Sequence, residues 1–206
     1  MRAPVPRSLS SATRLVTIAG TAAAIGTSAY LALGRERLVT WGATKAEAEA
    51  DLPGDVFLPT PTLESTRGRT VPGTPASTWS RLFPGAAGPV IGDRFPVPLP
   101  KYVPPIDALA LRVVAVAPAS HLVLATWDPV MEPAVSRVGA GSWIATWALV
   151  LRHDVSGGTR VLTRFRASHP AHQDAPIAGV VALEPAVFLL ERRILGRLGR
   201  TIPGQR

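Results

Sequence analysis

Apolar and polar residues alternate along four segments between residues 108 and 168, and this period of two constrains the fold more than any other feature. It is typical of strands that turn one face toward a core. The segments span 108–116, 121–127, 143–153 and 160–168. Gly157 and Gly158 separate the last two, where glycines suit a tight hairpin. The sequence therefore predicts an antiparallel sheet.

A helical pattern follows these strands. Apolar residues recur at intervals of three and four and so share one helix face; they are Leu183, Val187, Leu190, Ile194 and Leu198. Pro185 suits the first turn of such a helix, and a Pro-Gly pair at 203–204 suits its end. A sheet followed by a long amphipathic helix predicts the α+β class, with the helix packed on the sheet.

Two further assignments follow from the pattern of faces. On the third segment Trp143, Trp147 and Leu149 share a face, which we predict to be concave or buried. The fourth segment carries arginines on one face, which are Arg160, Arg164 and Arg166. Because buried arginines need partners, we predict that this face is solvated; the alternative is a lining that binds an anionic ligand. We also predict that Glu184 and Glu191 pair with arginines at the helix surface.

The net charge of +8 belongs to the two ends of the chain. Residues 1–37 and residues 191–206 each carry five arginines against one glutamate, and the residues between them balance. Because a nucleic-acid-binding domain concentrates basic residues on its folded face, we predict no nucleic-acid partner. The chain has no cysteine, which excludes disulfides and cysteine-ligated metal sites.

Residues 15–33 are uncharged and follow a basic tail at 1–14. At a rise of about 1.5 Å per residue, a helix of this length just crosses the hydrocarbon core of a bilayer. We predict a single-pass membrane anchor, with a cleaved signal peptide and a soluble helix as the alternatives. The charges that flank the span leave open the side on which the domain lies.

Residues 34–64 are expected to form a linker with one short helix. Thr44 suits the N-cap of that helix, and Glu47 completes a capping box. Further along, seven prolines fall between residues 84 and 105. That density excludes a helix and any central strand, so we predict an extended proline-rich loop within a domain at 65–202.

Six segments, taken in their order along the chain, resemble those of a known protein superfamily. They are 40–55, 66–71, 91–100, 111–128, 141–168 and 184–198. Together they resemble the START-like superfamily in its actinobacterial branch, also named polyketide cyclase/dehydrase or SRPBCC. The resemblance implies a helix-grip fold, in which a curved antiparallel sheet wraps the C-terminal helix around an apolar cavity. The connection from Trp79 to Ile91 is shorter than in that family, so some family elements are expected to be missing.

The resemblance also implies a wall for that cavity. The sequence has no P-loop or dinucleotide-binding motif, so we predict no cofactor. The candidate lining residues are Trp143, Trp147, Leu149, Phe165, Val187, Leu190 and Ile194. The expected partner is a small hydrophobic molecule or a lipid; the oligomeric state is left open.

Catalytic candidates are few. His169 and His172 have the spacing of metal ligands, but the intervening Pro170 favours a surface loop, so we predict no metal site. His121 and His153 lie at strand ends. These observations favour a non-enzymatic, membrane-anchored domain that binds a small apolar ligand. The alternatives are a cyclase, aromatase or dehydratase that uses a histidine or a fourth-strand arginine, and a degenerate domain without a ligand site.

Overall fold

The predicted sheet and C-terminal helix are both present in the computed structural model, which describes residues 34–85, 88–96, 110–132, 134, 144–168 and 183–199. The chain divides into two units, residues 1–36 and residues 37–206. The predicted anchor at 15–33 lies outside the described residues and stays a prediction. Among the described helices, none has the length and apolar character needed to cross a bilayer.

Within the described residues the helices are α1 (Arg35–Val39), α2 (Lys45–Glu49), α3 (Pro75–Leu82) and α4 (Glu184–Leu198), with a 3₁₀ turn at Asp55–Phe57. The strands are β1 (Leu63–Val71), β2 (Arg94–Pro96), β3 (Ala110–Ala117), β4 (His121–Ala125), β5 (Ile144–His153) and β6 (Thr159–Ser168). The α+β class predicted from the sequence is confirmed.

These described strands form one antiparallel sheet in the order β1-β6-β5-β4-β3-β2. The hairpin between β5 and β6 sets the register at its centre, where Trp147 pairs with Phe165 and Leu149 with Thr163. Gly157 turns this hairpin with a φ of 84°, which glycine adopts without steric cost. The chain then pairs β1 along the full length of β6, so the last strand in sequence lies inside the sheet.

The proline-rich segment contributes the edge strand β2, which pairs with β3. An edge is the position where a strand tolerates a residue without a backbone N–H, and Pro96 ends this strand. The rest of the segment is described only in part, because residues 86–87 and 97–109 lie outside the described residues.

Helix α4 packs on one face of the sheet. Its buried apolar residues join the sheet in two clusters: Leu195 and Leu198 pack with Val71, Leu151 and Val161. Nearer the start of the helix, a second cluster contains Leu63, Ala145, Phe165, Ala167, Leu183, Ala186 and Val187. The predicted amphipathic helix is therefore confirmed, and its apolar stripe covers the face that carries Trp147.

The opposite face of the sheet is covered by the segment that the sequence predicted to be a linker. Leu52 packs against Val150 and Leu162. Leu58 packs with a further group, which contains Ala125, Trp127 and Ile144. Helix α2 begins as predicted, because the Thr44 hydroxyl accepts from the Glu47 backbone N–H and the Glu47 carboxylate accepts from the Thr44 N–H. Both faces of the sheet are thus covered at its centre.

The prediction of a solvated arginine face on β6 is wrong. The Arg164 side chain is only 2% exposed, and its guanidinium donates to the carbonyl oxygens of Glu47, Ala48 and Ala50 at 3.1, 2.7 and 2.8 Å. Its Nε donates to the Thr66 hydroxyl, and it forms an ion pair with Asp55. The arginines of β6 therefore hold the 42–58 segment of this chain against the sheet.

Arg160 binds the same segment from the end of β6. Its guanidinium donates to both carboxylate oxygens of Glu47 at 2.7 Å and to the Gly42 carbonyl oxygen at 2.6 Å. The hydrogen bond from Arg160 lowers the pKa of Glu47 to about 2, and the Thr44 backbone N–H acts in the same direction against the opposing effect of burial.

This lowered pKa predicts an acid-sensitive contact. A carboxyl whose pKa is lowered in the folded state stabilises the fold at pH values above its ordinary pKa of 4.5. It loses that contribution as the pH falls toward 2. We expect the free energy of unfolding of the native chain to fall over this range by about 1 kcal/mol more than that of Glu47→Gln. Urea denaturation at several pH values measures this, with the exposed Glu49→Gln as the control. If the free energy of unfolding changed equally with pH in the native chain and in Glu47→Gln, the predicted contribution of Glu47 would be contradicted.

Candidate functional site

A cavity of about 370 Å³ lies between α4 and the sheet. Five other elements contribute to its wall: the end of α3, β2, β4, β5 and β6. The described residues that line it are Leu82, Phe83, Phe95, Leu122, Leu124, Trp147, Leu149, Thr163, Leu190, Ile194 and Arg197. Its volume falls within the range of sites that bind small molecules.

One wall is aromatic and comes from the short connection that precedes β3. Helix α3 begins at a Thr74 N-cap and buries Trp79 against the core. Phe83 follows α3 and packs against Trp79 in a tilted arrangement, with ring centroids 4.8 Å apart. Phe95 on β2 meets Phe83 edge-on at 6.4 Å. The shortened segment between Trp79 and Ile91 therefore leaves a cavity in place.

The structure places the predicted wall residues in three groups. Trp147 and Leu149 on β5, and Leu190 and Ile194 on α4, line the cavity together. Phe165 and Val187 pack instead in the neighbouring apolar cluster around Leu63 and Leu183, with Trp147 packed against it. Trp143 lies outside the described residues.

An ion pair is buried between α4 and β1, beneath the cavity. Arg67 and Glu191 both have fully buried side chains, and the Arg67 guanidinium donates to the Glu191 carboxylate. Arg67 also donates to the Leu38 carbonyl oxygen at 2.7 Å and to the Ser65 hydroxyl at 2.9 Å. The prediction that Glu191 pairs at the helix surface is wrong, since its partner lies across the core on another element.

Burial raises the pKa of Glu191, although the charge of Arg67 opposes that effect. The Thr163 hydroxyl and the Trp147 indole N–H also favour the ionised carboxylate. Neither group reaches hydrogen-bond geometry with Glu191, and its second oxygen is likewise without a hydrogen bond among the described residues. The polar atoms of Trp147 and Thr163 are covered, so these two residues present apolar surface to the cavity.

Arg197 is the charged residue among those described that line the cavity. It belongs to the last turn of α4 and is exposed to solvent. Arg197 also borders a second surface depression on the outer side of α4, together with Leu189, Arg192, Arg193 and Gly196. The cavity is therefore apolar in its interior and basic at its rim.

The described histidines lie away from the cavity. His121 alternates along β4 with the lining residues Leu122 and Leu124, so strand geometry directs it to the opposite face, where its ring contacts the Ser120 hydroxyl. His153 is exposed at the end of β5. Across the described part of the chain, no cluster of histidines and carboxylates is suited to hold a metal ion. His169 and His172 lie outside the described residues.

The sequence analysis missed several lining residues, and only some of them have a signal in the sequence. Leu122 and Leu124 follow the alternation of β4 and could have been placed on the face that carries Trp147. Phe83 and Phe95 lie in a stretch without periodicity, and only tertiary contacts bring them together. Arg197 lies one turn beyond the lining residue Ile194, so helical spacing could have placed it beside the cavity.

No protein-family model and no curated protein matches the chain. Among solved structures, protein MLL2253 from Mesorhizobium loti is 15% identical with a TM-score of 0.36, covering 66% of this chain and 98% of its own. A protein from Arthrobacter aurescens is 11% identical with a TM-score of 0.36, covering 70% and 92%. DynU16, from the dynemicin biosynthetic locus, is 15% identical with a TM-score of 0.35, covering 67% and 49%. These values assign neither a family nor an activity.

Proposed function

We propose that this domain binds a small apolar molecule in the cavity between α4 and the sheet, without catalysing a reaction on it. The observation that carries the proposal is a cavity of about 370 Å³ with one charged lining residue among those described, Arg197. The other polar side-chain atoms of that lining, on Trp147 and Thr163, are covered. Transfer of an apolar ligand from water into such a space is favourable at roughly 25 cal/mol for each Å² of apolar surface buried. The same proposal assigns the chain to the START-like superfamily with a helix-grip arrangement.

The lining supports binding better than catalysis. A general acid or base must come within hydrogen-bond reach of the substrate. Among the described lining residues there is no histidine or carboxylate, and Glu191 is covered by Trp147 and Thr163. The arginines of β6, which an enzymatic alternative would use, bind the 42–58 segment on the other face.

A matched pair of substitutions on one helix tests the proposal. Leu190 lines the cavity, and its neighbour Leu189 is 45% exposed. We expect Leu190→Trp to fill the cavity and to weaken binding of the neutral probe N-phenylnaphthylamine by about tenfold or more, since overpacking leaves no room for it. Leu189→Trp should bind the probe as the native chain does. Fluorescence titration of the full chain measures both.

Two outcomes of this titration oppose the proposal. One is a native chain whose probe signal does not saturate, which indicates nonspecific adsorption. The other is an equal loss of binding in Leu189→Trp and Leu190→Trp. Circular dichroism of each variant confirms that it has folded.

We also propose that residues 15–33 anchor the domain in a membrane, on the basis of the uncharged span and its basic flanks. If so, the full chain stays in the membrane fraction after alkaline extraction. Release of the chain into the soluble fraction would contradict the anchor and would favour the signal peptide or the soluble helix.

A further inference from the structure

The outer face of α4 beside the cavity is uniformly basic. Arg192, Arg193 and Arg197 are all exposed. Glu191, the acidic residue of that stretch, is fully buried and pairs with Arg67. The exposed charges that the structure describes between residues 188 and 199 are therefore all positive. A surface of one sign raises the local concentration of anions.

Arg197 differs from Arg81 and Arg67, two basic side chains near the cavity whose guanidinium groups hold other parts of the fold. Arg81 donates to the Leu198 carbonyl oxygen at 2.6 Å and so satisfies the end of α4. Arg67 is occupied by Glu191 and Ser65. Within the described part of the chain, the Arg197 guanidinium makes no hydrogen bond or ion pair. It remains available at the rim of an apolar space.

The remaining wall restricts what a ligand can present to the protein. Thr163 and Trp147 are the other lining residues with polar side-chain atoms, and those atoms are covered. A ligand that carried a polar group into the interior would therefore leave that group without a partner, at a cost of about 1 to 3 kcal/mol. A polar group is accommodated at Arg197, where solvent remains accessible.

We propose that the ligand is a single-chain amphipath with one carboxylate, whose apolar body occupies the cavity and whose carboxylate pairs with Arg197. This inference rests on the function proposed above and names its substrate class. The guanidinium offers two parallel N–H donors that match the two oxygens of a carboxylate. One guanidinium balances one negative charge, which is why a carboxylate fits better than a doubly charged phosphate.

The test compares two ligands and two variants of the full chain. Decanoate and decanol have the same chain length and differ in charge, and each displaces bound N-phenylnaphthylamine. For Arg197→Gln we expect decanoate to bind about fivefold more weakly, because a partly exposed ion pair contributes modestly, and decanol to bind as before. Arg193→Gln removes the same charge from the same helix without touching the cavity lining, so decanoate should change less than about twofold.

The outcomes separate this inference from the proposed function. Saturable binding of the neutral probe and of decanol, with decanoate insensitive to Arg197→Gln, would overturn the carboxylate assignment and leave the apolar site standing. Equal losses in Arg197→Gln and Arg193→Gln would show a general field instead of a contact and would overturn it as well. If decyl phosphate bound more tightly than decanoate, and Arg197→Gln abolished that difference, the choice of a carboxylate would be overturned. If the neutral probe does not bind at all, both proposals fail.

Discussion

Replacing Arg67 with methionine is expected to lower the free energy of unfolding by about 3 to 5 kcal/mol. The substitution leaves the Glu191 carboxylate in the core without its counter-charge, and both side chains are fully buried in the native protein. It also removes the hydrogen bonds to the Leu38 carbonyl oxygen and the Ser65 hydroxyl. Urea denaturation of the full chain at neutral pH measures the change.

This loss should shrink in acid. Burial already raises the pKa of Glu191 above 4.5, so the native state holds a proton more tightly than the unfolded chain does. For such a group, stability is greatest below its unfolded pKa and declines as the pH rises through the folded pKa. Removal of Arg67 raises the folded pKa further, because the opposing charge is gone. The penalty of Arg67→Met should therefore be smallest below pH 4.5.

A double substitution separates the ion pair from the packing around it. Arg67→Met combined with Glu191→Leu removes both charges and fills the space with apolar groups, which is often neutral or stabilising in a protein core. We expect the double variant to recover most of the stability lost in Arg67→Met. Strict additivity of the two single substitutions would show that Arg67 and Glu191 do not interact as described.

Replacing Arg164 with methionine is the second large effect, at about 3 kcal/mol. Its guanidinium satisfies the carbonyl oxygens of Glu47, Ala48 and Ala50, and together with Arg160 it fastens helix α2 to β6. Arg164→Lys should be almost as unstable as Arg164→Met, because an ammonium group cannot reproduce the planar arrangement of guanidinium donors. Limited proteolysis should then cleave the 44–58 segment faster than in the native chain.

Arg152 provides the matched control for Arg164. It lies on the same face of the neighbouring strand β5 but is exposed. Arg152→Met should change the free energy of unfolding by no more than about 0.5 kcal/mol and leave proteolysis unaltered. Similar destabilisation by Arg152→Met and Arg164→Met would contradict the role assigned to Arg164.

The sequence predicts what is set by local periodicity. The alternation along β5 and β6 and the spacing from Leu183 to Leu198 depend on neighbouring residues alone, and both elements are found. The capping box of Thr44 and Glu47 is equally local and is also present. The same patterns placed Trp147, Leu149, Leu190 and Ile194 on the two surfaces that meet at the cavity.

What the sequence missed depends on partners distant along the chain. Arg164 binds Ala48 across 116 residues, and Arg67 binds Glu191 across 124 residues. Charged residues are usually solvated, so a rule based on local pattern assigns them to the surface unless a partner is known. On α4 the most deeply buried residues are Glu191 and Leu195. The spacing of apolar residues alone does not place a glutamate at the centre of the buried face.

The location of a bound apolar ligand is the most direct test of the proposed function. Methyl groups of Leu122, Leu149, Leu190 and Ile194 surround the cavity, whereas those of Leu52 and Leu58 lie on the opposite face of the sheet. Methyl NMR spectra of the full chain during addition of decanol should show saturable shifts confined to the first group. Shifts at Leu52 and Leu58 in place of the cavity methyls, or no saturable shift at any of them, would contradict a ligand site between α4 and the sheet.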